Sequence, residues 1–217
     1  MQRPYPFNHL AAVRHLRRSD EKMAALIARV GRFRLPLERQ RHPFHSLLSA
    51  IVYQQLHATA AAAILARIHT QIGGGDAPSP AQVLAADEAT LRATGLSRQK
   101  IAAVRDLAEK TAAGVVPDWT QMEALDDEAV IARLISVRGV GVWTVQMLLM
   151  FRLGRPDVLP ALDYGVQQGY QLAYRKRRLP TPRELAAAGE RWRPYRTVAS
   201  WYLWQAVRLE REAKTRA

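Results

Sequence analysis

The 217-residue chain contains no cysteine. That removes disulfides, thiol nucleophiles, zinc–thiolate sites and iron–sulfur clusters together. Acidic residues are scarce: 19 Asp+Glu face 32 Lys+Arg, a formal net charge of +13. A surplus of that size points to a polyanionic partner, nucleic acid first and an anionic membrane second. An arginine-rich soluble enzyme is the plain alternative. No apolar run approaches the ~18 residues that a membrane span needs. The start Met1-Gln2-Arg3-Pro4-Tyr5-Pro6 has no apolar stretch of the kind that marks a secretory leader. Sustained period-2 alternation, Asn-Gly or Asp-Gly hairpins, βαβ units and internal repeats are all missing. The histidines (9, 15, 42, 45, 57 and 69) show no metal-binding spacing of the HExxH kind, and His42 and His45 read as solvated residues at a helix start. The expectation is therefore a soluble, intracellular, basic protein that does not cross a membrane. Its 48% hydrophobic content suits one large domain or two small packed ones.

The pattern present is helical. The first 42 residues are basic and broken by prolines, with one amphipathic stretch at Asp20–Val30. Apolar residues at 44, 47, 48, 51, 52 and 56 recur at helical spacing from Pro43 to Leu56. An alanine-rich helix over Ala58–Ile72 stops at three glycines. Ser79-Pro80-Ala81-Gln82 and Thr181-Pro182-Arg183-Glu184 are capping boxes. Further helices are expected from Ser97 to Gly114, from Asp126 or Asp127 to Ser136, over Val142–Leu153, and from Pro194 to Arg208. The expected fold is all-α and two-lobed, with a cleft between the lobes as the natural ligand site. One grouping sets the middle helices against the first and last ones. In residue terms it gives an N-terminal segment 1–42, a central subdomain over about 58–155 with a hairpin at 137–141, and a second subdomain of about 43–57 plus 156–217.

Two glycines, Gly139 and Gly141, stand between two helices in Val137-Arg138-Gly139-Val140-Gly141-Val142-Trp143-Thr144. Such a turn directs backbone amides outward beside the positive end of the next helix, where one phosphate can bind without base readout. It is followed by Asp157-Val158-Leu159-Pro160-Ala161-Leu162-Asp163-Tyr164-Gly165-Val166-Gln167. VRGVGVWTVQM followed by DVLPALDYGVQ resembles the LPGIGxWTAxY…DVFPxxDxxxxQ pattern of the helix-hairpin-helix DNA glycosylases. The similarity is closest to the 3-methyladenine DNA glycosylase II (AlkA-type) branch. Ile51-Val52-Tyr53-Gln54-Gln55-Leu56 and Glu190-Arg191-Trp192-Arg193-Pro194-Tyr195-Arg196 extend the resemblance over about Phe44–Arg208.

The resemblance implies roles residue by residue. Asp163 aligns with the catalytic aspartate, and it also reads as the N-cap of a helix whose buried face holds Leu162, Val166 and Tyr170. Asp157, Asp126 and Asp127 read as capping or solvated charges. Trp143 stands where bifunctional members carry a nucleophilic lysine, which implies a monofunctional enzyme using water. Met147 stands where an aromatic pocket residue is usual, and Trp204 aligns with the ring that stacks on the flipped nucleotide, with Trp201 and Arg208 at neighbouring helical spacing. Trp143, Met147 and Trp204 are thus the expected base pocket. Leu56 matches the wedge that fills the duplex gap, beside Gln55; a core leucine is the other reading. Arg138, which replaces the hairpin's usual proline, joins Gly139, Val140, Gly141 and Thr144 as expected DNA contacts. Carbonyls of Ile135, Val137 and Val140 match positions that hold a monovalent cation; no other cofactor is implied.

The expected activity is removal of alkylated purines, of the 3-methyladenine and 7-methylguanine type, from double-stranded DNA in base excision repair. The expected enzyme is a monomer at the nucleoid of a bacterial cytoplasm, without the additional N-terminal β domain of larger AlkA-type enzymes. Two rivals remain: a related glycosylase for uracil, mismatched or oxidised bases, and a non-catalytic helix-hairpin-helix module that binds DNA and recruits partners.

Overall fold

A computed structural model describes residues 4–38 and 40–216. Among these residues every regular element is helical, as expected of an all-α chain. No helix in them is long and apolar enough to cross a membrane. The chain forms two compact units, Met1–Glu38 with Leu149–Ala217, and Arg39–Leu148.

The first unit holds α1 (His9–Ser19), α2 (Glu21–Val30), α11 (Tyr164–Ala173), α12 (Pro182–Gly189) and α13 (Arg196–Arg216). Ala12 and Leu16 of α1, Met23 and Ile27 of α2, Val166 and Tyr170 of α11, and Val198, Tyr202 and Leu203 of α13 share one core. A buried carboxylate fastens it. Asp20 caps α2 by accepting the Met23 N–H at 3.1 Å, and it also accepts the Tyr174 hydroxyl and the Trp192 indole N–H. Burial, reinforced by Asp20, pushes the Tyr174 hydroxyl far above its ordinary pKa. α11 lies against α13 because Gly169 leaves no side chain between them; a Cβ there would come within 2.0 Å of the Leu203 carbonyl oxygen.

The second unit holds α3 (Pro43–Tyr53), α4 (Ala58–Gln71), α5 (Pro80–Ala85), α6 (Glu88–Ala93), α7 (Arg98–Ala112), α8 (Trp119–Ala124), α9 (Asp127–Leu134) and α10 (Val142–Leu148). A π-helical turn, Leu149–Leu153, follows α10 and opens the return to the first unit. α7 is the centre of this unit, packed by α3, α5 and α6. The starts of α3 to α9 have side-chain caps: His42, which was expected to be solvated, His57, Ser79, Asp87, Ser97, Asp118 and Asp126 each accept an N–H of the first turn.

The structure corrects several boundaries. Residues 43–57 were expected with the C-terminal part, but α3 belongs to Arg39–Leu148. Its apolar face of Leu47, Leu48, Ile51 and Val52 is buried, and it packs on α4, α7 and α10. The division falls after Leu148 rather than at 155, and α1 and α2 join the C-terminal helices instead of forming a separate segment. α3 also stops at Tyr53, because Gln54 leaves helical geometry (ψ 130°) and Gln55 turns left-handed (φ +55°). α13 starts at Arg196, not Pro194, and runs past Arg208 to Arg216.

Candidate active site

The loop before Asp163 is clamped from both ends. The Asp157 carboxylate accepts Arg196 Nε at 2.8 Å and Nη2 at 3.0 Å, together with Arg193 Nη1 at 2.8 Å. It also accepts the Arg196 N–H at the start of α13, so Asp157 is an ion-pair hub rather than a solvated charge. Thr197 Oγ1 accepts the Val158 N–H at 2.9 Å and donates to the Arg155 carbonyl at 2.6 Å. The chain then closes a turn through the Asp163 N–H, which donates to the Pro160 carbonyl at 2.9 Å. Leu162, on that turn before α11 begins, is 65% exposed; it does not join the buried face of Val166 and Tyr170.

Asp163 is the N-cap of α11. Its Oδ1 accepts the Val166 N–H and the Trp204 indole N–H, each at 2.8 Å. A half-buried carboxylate is thereby oriented by a helix start and by an aromatic ring from α13. Trp204 is itself fixed, stacked on Phe151 with ring centres 5.7 Å apart and planes 23° from parallel. Gly165 permits the approach: a Cβ there would sit 2.9 Å from the Trp204 ring and 3.1 Å from Asp163 Oδ1. Trp201, by contrast, is core, edge-on to Phe33.

In the second unit, α9 and α10 flank the turn at Val137–Gly141. Gly139 has φ +78°, a conformation L side chains rarely adopt, and a Cβ there would lie 3.3 Å from Ala103 Cβ. Two α7 side chains hold the turn. Asp106 Oδ2 accepts the Arg138 N–H at 2.7 Å and the Lys110 ammonium at 2.8 Å, and Lys110 also donates to the Ser136 carbonyl. Burial raises the Asp106 pKa, but Lys110 and the Arg138 N–H outweigh it and hold the carboxyl below its ordinary value. Val140 and Thr144 are buried, Thr144 at 8%, so neither points its side chain outward. Arg138 and Gly141 are exposed, and so are Val142 and Trp143, the ring at 45%. A core role for Trp143 is therefore excluded, and Met147 one turn on is half-buried. Of the three carbonyls expected to face a cation, that of Val137 accepts the Val140 N–H at 3.0 Å.

After α3 the chain turns through Gln54, Gln55 and Leu56. Leu56 is 40% exposed, which removes its alternative reading as core. Gln54 Nε2 donates to the Gly139 carbonyl at 2.8 Å, tying this loop to the hairpin.

The model of the HhH-GPD superfamily base excision DNA repair proteins matches residues 48–194, which contain the loop, the hairpin and Asp163. The chain belongs to the HhH-GPD superfamily. It is 37% identical over 196 residues to DNA-3-methyladenine glycosylase 1 of Schizosaccharomyces pombe, covering 90% of this chain and 86% of that protein. It is also similar to a solved structure of the Schizosaccharomyces pombe 3-methyladenine DNA glycosylase in complex with abasic DNA, with TM-score 0.80 over 90% of this chain and 95% of that one. The DNA-3-methyladenine glycosidase of Bacillus halodurans gives TM-score 0.84 at 34% identity, covering 98% and 94% of the two chains.

In this HhH-GPD chain the expected residues divide between the two units. Asp163 and Trp204 are joined by a hydrogen bond in the first. Leu56, Gln55, Trp143, Met147 and the hairpin lie in the second. Sequence reasoning missed Asp106, Lys110, Gln54, Phe151 and Gly165. Gln54 and Gly165 stand within the motifs that carry the resemblance, but no role was read for either. The others act through contacts far apart in the chain.

Proposed function

We propose that the protein is a monofunctional DNA glycosylase of base excision repair, releasing N3- and N7-alkylated purines from duplex DNA. The observation that carries this is Asp163, a carboxylate oriented by the Val166 N–H and the Trp204 indole at the motif position of an HhH-GPD chain. The sequence and fold likeness to 3-methyladenine glycosylases supports the substrate class.

A base within the stack cannot be attacked, so the nucleotide must first leave it. Ring alkylation makes the purine cationic. The N-glycosidic electron pair then departs with the base, which leaves neutral, and positive charge develops on the deoxyribose. Asp163 stabilises that charge, water adds at C1′, and its proton is passed to the carboxylate or to solvent. The exposed Trp143 ring is proposed to receive the cationic base by cation–π attraction, with Met147 beside it shaping the contact. Trp204, expected to stack on the nucleotide, is proposed instead to act chiefly on Asp163 through its N–H.

DNA is proposed to rest on the hairpin. The Arg138 N–H is spent on Asp106, so that residue would offer its side chain, while Gly141 and the first N–H groups of α10, Thr144 among them, would take a phosphate. Leu56 and Gln55 are proposed to fill the vacated stack. The carbonyls of Ile135, Val137 and Val140 are the atoms that would hold a structural monovalent cation, and a carbonyl such as Val137's has a second acceptor site for it. Work as a monomer at a bacterial nucleoid completes the proposal.

The test is excision from duplexes carrying one 7-methylguanine, uracil, mismatched thymine or 8-oxoguanine. Release of the methylated purine alone, leaving an unbroken abasic strand and no borohydride-trapped adduct, is the expected result. A trapped adduct would overturn the monofunctional assignment, and no release from any duplex would leave a DNA-binding module.

A further inference from the structure

One face of α7 serves both elements that the proposed function puts on DNA. Lys100, Ala103, Asp106 and Lys110 are spaced by three, three and four residues, which places them along a single side of the helix. Ala103 lies under Gly139, and Asp106 with Lys110 grips the hairpin backbone. Lys100, at the other end, donates to the carbonyls of Val52 at 2.6 Å and Gln54 at 2.9 Å. These belong to the end of α3, where backbone acceptors are left over by the helix. Gln54 then reaches back to the Gly139 carbonyl. Between these anchors Gln55 is held at φ +55°, a conformation that a non-glycine residue keeps only when its surroundings impose it. Leu56 follows directly and is exposed.

We infer that Lys100 is a positioning residue which, with Gln54, sets the Leu56 loop at a fixed offset from the phosphate-binding hairpin, so that a gripped phosphate and an inserted wedge are parts of one rigid unit. The inference rests on the proposed glycosylase reading and goes beyond it, because neither Lys100 nor Gln54 touches the reacting atoms. Burial lowers the Lys100 pKa, and the amine is held there by the two carbonyls it donates to.

The variants are Lys100→Met, Lys100→Arg and Gln54→Met. The last leaves the Lys100 contacts in place and serves if Lys100→Met does not fold. Single-turnover excision is measured on 7-methylguanine paired with cytosine and on 7-methylguanine opposite an abasic spacer, where no base pair has to be broken. Lys100→Met and Gln54→Met should each slow the paired substrate about tenfold and the unpaired one less than twofold, with Lys100→Arg restoring most of the rate. A merely structural role slows both substrates alike, and that result, or no effect on either, overturns the inference. A second readout needs no excision: fluorescence of 2-aminopurine placed beside a tetrahydrofuran abasic site, which rises when a wedge unstacks it. The wild type should give the rise, and Leu56→Ala, Lys100→Met and Gln54→Met should lose most of it. A wild type that gives the rise but releases no base would sink the glycosylase reading and leave the positioning role. An undiminished rise in both Lys100→Met and Gln54→Met would sink the positioning role by itself, and no rise in the wild type would sink it together with the wedge.

Discussion

At the scale of residues, the chemistry proposed for Asp163 turns on what holds the carboxylate as much as on the carboxylate itself. Trp204 contributes one N–H to its Oδ1 and one stacked face to Phe151. Trp204→Phe keeps an aromatic ring to face Phe151 but removes the pyrrole part of the indole with its N–H. A hydrogen bond to a charged group is worth about 1.5–3 kcal/mol, so excision should fall about tenfold or more while the melting temperature changes little. Equal excision by Trp204→Phe and wild type would show that the indole does not orient the carboxylate. Gly165→Ala should act in the same direction, since its Cβ would stand 2.9 Å from the Trp204 ring and push it off Asp163. Leu56 gives the contrasting case of an exposed leucine. Leu56→Ala should lower excision from a stable duplex and leave folding almost untouched, whereas a core leucine would cost about 2–5 kcal/mol on truncation. Melting curves separate the two.

Among the elements, α7, α11 and α13 were legible as helices, but what α7 holds and how closely α11 meets α13 were not. The capping boxes at Ser79 and Thr181, the helix opened by Ser97 and the glycine hairpin could be read directly, because each is a local signal within four or five residues. α6 and α8 could not be read from periodicity, being six residues each; only Asp87 and the Asp118–Gln121 capping box marked them. The role of α7 was invisible because Asp106 and Lys110 look like an ordinary i,i+4 pair until the hairpin lies over them. That clasp has a pH signature. Asp106 titrates lower in the folded protein than in the unfolded chain, so its stabilisation is complete above the ordinary carboxylate range and is lost as pH falls through the lowered value. Asp106→Asn should melt below the wild type at pH 7, and the gap should close below roughly pH 4. A gap independent of pH would mean the carboxylate charge is not what holds the hairpin. In the other unit, Gly169→Ala sets a Cβ 2.0 Å from the Leu203 carbonyl oxygen, and the helices must part. The cost should be about 1–3 kcal/mol or more, read by denaturant melting, and larger than that of Gly165→Ala.

For the whole molecule, the charge excess legible in the composition and the family membership legible in four motifs converge on DNA. If four to six phosphates are contacted, log K should fall against log salt with a slope of about −4 to −5. A slope near zero would mean that the net charge of +13 serves something else. The hairpin is best probed through Arg138 or Asp106, because the +78° φ at Gly139 makes any substitution there strained on its own account. The grouping of residues into units was the part that sequence could not supply for α3, whose helical pattern was plain but whose partners were not.

The measurement that tests the central claim most directly is single-turnover excision by Asp163→Asn, with duplex binding measured alongside. Opposite unit charges ~4 Å apart attract by about 4 kcal/mol at an effective dielectric of 20, close to three factors of ten in rate. Asparagine can still cap α11. The variant should therefore fold, bind lesion-bearing duplex as the wild type does, and release the methylated purine about a thousandfold more slowly. Near-normal release by Asp163→Asn would contradict the account.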